Sequence, residues 1–373
     1  MGSAFRVLQG ADFLLHQPLE PAGVLPADLR EIFNQARERS ALKVFQKAIS
    51  SSADLLLLTG TLARFDEEPR LGCFLFEQFR RLAAERVRIV WAASAEEKTP
   101  EWATESTVSR LSPGTELTLP SLRSKGTMTV AWPVAGQKVS TSDNNHLVVT
   151  IQRFAQGLGV EYSIHGEPAA TRHRTIPIQE SGPQDPSPCG MWLTEIGTSH
   201  RATPSLLPTS TVHWASESIE IQSETTRSDL LREMERRLTE LNRHRTVELI
   251  LVEWKLEGAG PLLSSLLHDS DLRELLQASR SLAGSQQRLW SWKIETRPSV
   301  AQLEHWQRES NVYAQALNVQ QELSSTSQNE GLELRELPGH DSAHPPHHGR
   351  VHWVKKRLAH SLLRSRHGRP SQE

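Results

Sequence analysis

Several side chains in this 373-residue sequence are of types that do chemistry, and their spacing narrows what each can do. Two turns follow apolar, strand-like runs: Ala11-Asp12-Phe13-Leu14-Leu15-His16-Gln17-Pro18 after Phe5 to Leu8, and Gly60-Thr61-Leu62-Ala63-Arg64 after Asp54 to Leu58. Loops that leave the C-terminal edge of a parallel sheet converge, so turns of this kind can bring side chains together. Hydroxyl nucleophiles need a base and an orienting acid. Thr61 and Ser94 have no His–Asp partner at a useful spacing. No glycine-rich phosphate loop of the P-loop or Rossmann kind is present. Near the C-terminus, Trp353 is interleaved with Lys355, Lys356 and Arg357, and Arg364 and Arg366 follow. An aromatic ring beside cations suits base stacking next to phosphate neutralisation. The histidines at 340, 344, 347, 348 and 352 lie in Pro-rich spacing that fixes no metal geometry.

The elements that must position these residues are legible from periodicity. Leu29, Ile32, Phe33, Ala36, Leu42, Phe45 and Ile49 recur at helical spacing after Pro26, which predicts one long helix ending at Ser50-Ser51-Ser52. A second helix is expected over Cys73 to Glu85, leading into the strand Val87 to Trp91. Strands alternating with helices of these lengths imply parallel crossovers and a doubly covered sheet. Short strands are expected at Glu116 to Leu119, Thr127 to Trp132 and His146 to Arg153, and an irregular stretch over Glu167 to Pro188. Further strands are expected at Met191 to Ile196 and Thr211 to Trp214. Beyond residue 215, a helix over Thr225 to Asn242, a strand over Val247 to Leu256, a helical region over Leu262 to Leu282 and a strand over Arg288 to Thr296 make a compact two-layer α/β unit.

In order and pattern, the N-terminal half resembles the calcineurin-like metallophosphoesterases, and within them the SbcD/YhaO type of DNA repair exonuclease. That family's first strand ends Ala-Asp-x-His-x-Asp-x-Pro, its second Gly-Asp-x-x-Asp and its third Gly-Asn-His-Asp. The segments Glu161 to Gly166, Glu180 to Gln184, Cys189 to Ile196, Val212 to Trp214 and Val252 to Gly258 resemble later parts of it. The resemblance is weak over 96–160. It implies an α/β fold: a metallophosphoesterase-like β-sandwich flanked by helices (1–215), a small two-layer α/β capping domain (216–300), a helix over 301–325 and a linker with a basic tail (326–373).

Carried over by position, Asp12 matches the first metal ligand. Leu14 stands at the first histidine, Thr61 at the bridging aspartate and Arg64 at the second aspartate of its turn. Ala92-Ala93-Ser94-Ala95 replaces the third-strand motif, His16 stands where the family has a carboxylate, and His165 and His173 are the nearby later histidines. Two dications need a bridging carboxylate and several further ligands. The residual candidates Asp12, His16, His165 and His173 are too few. The resemblance therefore implies a pseudoenzyme with no cofactor expected, and Mn²⁺ as the ion for any surviving site. The alternative is an active phosphoesterase or exonuclease with a reduced metal site.

Partners follow from the same resemblance and from charge. The net charge is −2, yet from His340 onward seven Lys or Arg stand against two acids, which leaves about −7 on the rest. A chain of this balance does not coat nucleic acid along its whole length. The expected partners are an SbcC-like coiled-coil ATPase at the C-terminal helices, DNA at the tail through Trp353, Lys355, Lys356, Arg357, Arg364 and Arg366, and a second copy in a homodimer. No apolar run of membrane-spanning length occurs, and the two cysteines, Cys73 and Cys189, form no motif, so a cytoplasmic setting is expected.

Overall fold

The computed structural model describes residues 5–20, 22–93, 100, 108–122, 126–134, 137, 139, 146–154, 157–164, 167–184, 189–197, 201–243, 247–266, 268–282 and 288–298. The chain is mixed α/β, and its described residues divide into two compact units, one within 5–214 and 247–250 and the other within 215–243 and 251–298. No helix among the described residues is long and apolar enough to cross a membrane.

The first unit is built around two sheets. β1 (Phe5–Ala11), β2 (Leu55–Thr59), β3 (Arg88–Ala92) and the short β4 (Ser109–Leu111) run parallel. β10 (Met191–Ile196) and β11 (Ala202–Leu207) extend the other edge antiparallel, giving the order β11-β10-β1-β2-β3-β4. A parallel strand covered on both faces needs apolar side chains throughout rather than in alternation. Leu55, Leu56, Leu57 and Leu58 meet that need, all fully buried. One face packs on helices: Leu8, Leu56, Leu58 and Trp91 cluster with Val44 and Phe45 of α2 (Ala36–Ser50) and Leu75 and Phe79 of α3 (Pro69–Ala84).

The other face packs on a second sheet, β5 (Glu116–Pro120), β6 (Thr127–Ala131), β7 (His146–Phe154), β8 (Gly157–Ile164) and β9 (Glu167–Arg174), in sequential order. Val7, Leu55, Leu57 and Val90 from the first sheet share one apolar cluster with Met128, Val149, Val160 and Tyr162 from the second. This arrangement is a β-sandwich with helices on one outer face.

Two expectations need correction here. Residues 167–174 are not irregular but form β9, paired antiparallel with β8 around a register shift at Glu161/Ser163. Pro168 obscures the strand, yet proline is tolerated on an edge strand, and β9 is the edge. The long helix predicted after Pro26 is two: α1 (Ala27–Asn34) and α2 meet at Gln35, whose ψ of 5° leaves the helical region. The break lets α2 press Ala36, Ser40, Ala41, Val44, Phe45 and Ala48 inward, while Phe33 of α1 meets Trp214 edge-on at 6.2 Å.

The second unit carries most of a three-stranded sheet, β12 (Val212–Ile221), β13 (Leu249–Gly258) and β14 (Leu289–Pro298), with α4 (Arg227–Leu241), α5 (Pro261–Ser265) and α6 (Asp269–Leu282). Thr226 and Asp229 form a reciprocal capping box that starts α4, satisfying two otherwise unpaired backbone N–H groups. Trp254 is fully buried, and its Nε1 donates to Ser291 Oγ at 3.0 Å.

Candidate functional site

Register decides where the strand-end turns lie. Ala11 is level with Thr59 of β2, and Thr59 with Ala92 of β3, so the turns after β1, β2 and β3 emerge side by side. The first two turns are stitched together by backbone hydrogen bonds. The N–H of Asp12 donates to the Thr59 carbonyl (3.1 Å), that of Leu14 to Thr61 (3.1 Å) and that of Leu15 to Leu62 (2.9 Å). The third strand holds the second turn from the far side: Gly60 N–H donates to the Ala92 carbonyl (3.2 Å), and Trp91 Nε1 donates to the Gly60 carbonyl (3.0 Å). Phe65 braces the Trp91 ring edge-on at 6.2 Å.

The backbone at this edge is strained. Asp12 and Leu14 both have φ of 45°, a left-handed conformation that an aspartate tolerates and a leucine rarely adopts. Gly60 has φ of 78°, and a Cβ there would collide with Asp12 Oδ1. The turn thus demands glycine twice, once for its dihedrals and once for the carboxylate lying over it. Burial pushes the Asp12 carboxyl up from its ordinary value, and no described residue donates a hydrogen bond to it.

The side chains around Asp12 do not fit a metal pair. Leu14, Thr61 and Ala92, in and beside the neighbouring turns, offer at most one neutral hydroxyl. Arg64 turns outward, 61% exposed, and pairs with Glu67 at 3.2 Å. Its charge nevertheless reaches His16: burial foremost, then Arg64, lowers the imidazole, with Glu67 and Glu68 opposing and Arg37 adding to the fall. Among the described residues no group of three or more His, Cys, Asp or Glu side chains is placed to hold a metal ion.

His173 lies elsewhere, on β9, stacked on the Trp192 ring at 4.9 Å and lowered by burial alone. His165 lies outside the described residues, as do Trp353, Lys355, Lys356, Arg357, Arg364 and Arg366.

Three features went unnoticed in the sequence. The first is a set of polar side chains inside the sandwich. Gln9, Thr59, Tyr162, His173 and Thr194 are all buried, and Gln9 Oε1 and Nε2, Thr59 Oγ1, Tyr162 OH, His173 Nε2 and Thr194 Oγ1 have no hydrogen-bond partner among the described residues. Tyr162 and Thr194 approach each other without reaching hydrogen-bond geometry, and burial pushes the phenol up to about 12. Gln9 within an apolar run was the one visible signal. The second is Glu180, which accepts from the Trp214 N–H (2.8 Å) and bonds His213 Nδ1 (2.8 Å), raising the imidazole. The third is Arg37 of α2, an arginine only 4% exposed.

Neither a protein-family model nor a curated protein matches this sequence.

Proposed function

We propose that this chain is a catalytically inactive relative of the SbcD/YhaO-type metallophosphoesterases, acting in DNA repair or processing through a partner ATPase, DNA or both. One observation carries the reading. The β1 and β2 turns keep a paired arrangement, with Asp12 held against Gly60 and the two loops hydrogen-bonded in register, while the ligand positions hold Leu14, Thr61 and Arg64. A frame kept without its ligands is what loss of catalysis under retained folding would leave. Generating a hydroxide between two dications takes several anionic and imidazole ligands, and Asp12 with His16 cannot neutralise that charge.

Binding then falls to other surfaces. The sequence places its positive charge in the tail, where Val351, Val354, Leu358, Leu362 and Leu363 alternate with Lys355, Lys356, Arg357, Arg364 and Arg366. An apolar stripe edged by cations suits a partner's groove or nucleic-acid phosphate.

The test is calorimetric titration of Mn²⁺ into the full chain and into Asp12→Ala, with nuclease assays alongside. The expected result is no stoichiometric binding above the variant and no Mn²⁺-dependent cleavage. Stoichiometric Mn²⁺ binding that disappears with Asp12, together with DNA cleavage, would make the protein an active exonuclease and overturn the proposal. Truncation at Pro338 tests the tail: DNA and ATPase binding unchanged by it would remove the tail from the account.

A further inference from the structure

We draw no further inference here: the strongest candidate, the cluster of buried polar side chains Gln9, Thr59, Tyr162, His173 and Thr194 between the two sheets of the first unit, carries nothing, because most side chains of β9 beside it lie outside the described residues and nothing among the described residues shows a cavity that a ligand could fill.

Discussion

Replacing Gly60 with alanine tests the account of the strand-end turn directly. The residue sits at φ of 78°, where an L side chain costs about 1–2 kcal/mol relative to the right-handed region. The new Cβ would also meet Asp12 Oδ1, so the carboxylate must leave its rotamer, at about 0.5–1.5 kcal/mol. Alanine recovers about 0.4–1 kcal/mol by restricting the unfolded chain. The net expectation is a loss of about 2 kcal/mol, or roughly 4–8 °C in thermal midpoint for a unit of this size. Urea unfolding of Gly60→Ala, Asp12→Gly and the double variant reads the two contributions separately. In the Asp12→Gly background the collision is gone, so the penalty should shrink by about 1 kcal/mol, beyond the ~0.5 kcal/mol scatter of additive sites. A single variant within ~0.5 kcal/mol of the parent, or an undiminished penalty in the double variant, would refute the packing of Asp12 over Gly60.

Three further outcomes follow from the structure. Asp12 has a folded pKa above its ordinary 3.8, so its ionisation opposes folding as pH rises through the raised value. Asp12→Asn should therefore be more stable than the parent at pH 7.5, and the gap should narrow towards pH 4 in denaturant titrations. His213 is raised from 6.5 by its bond to Glu180, so it contributes stability that is full below 6.5 and lost as pH rises through the folded value. His213→Gln should flatten that decline, modestly because the imidazole is 43% exposed; an unchanged pH profile would remove the pair from the account. Tyr162→Phe removes a buried hydroxyl without a partner among the described residues, and should leave stability unchanged or raise it by up to about 1 kcal/mol; a loss above ~1 kcal/mol in urea unfolding would mean that the hydroxyl is satisfied in the folded chain.

The elements that were legible in the sequence are those whose burial is uniform. The run Leu55 to Leu58 announces a strand covered on both faces, and α3 carries Leu75, Phe79 and Leu82 on one face at helical spacing. β9 was hidden because its residues, Glu-Pro-Ala-Ala-Thr-Arg-His-Arg, have no strand-like alternation; pairing with β8 makes it a strand. The break at Gln35 was equally invisible, since the apolar spacing runs through it. Of the candidate ligands, Asp12 was placed correctly at a strand end by its position after an apolar run. His173 carried no comparable signal, and its side chain went to Trp192.

The sequence by itself determined the uniformly buried strands and the amphipathic helices, that Asp12 stands at the end of the first strand, and that Leu14, Thr61 and Arg64 stand in the turns beside it. Those properties depend on neighbours a few residues away, which periodicity records. Only the tertiary structure decided that Arg64 turns outward to Glu67, that Gly60 must lie under the Asp12 carboxylate, and that Arg37 is buried against Ser181. Arg37 and Ser181 are 144 residues apart, and whether an arginine on an amphipathic helix meets solvent or a second segment is set by sheet order and packing, on which local spacing is silent.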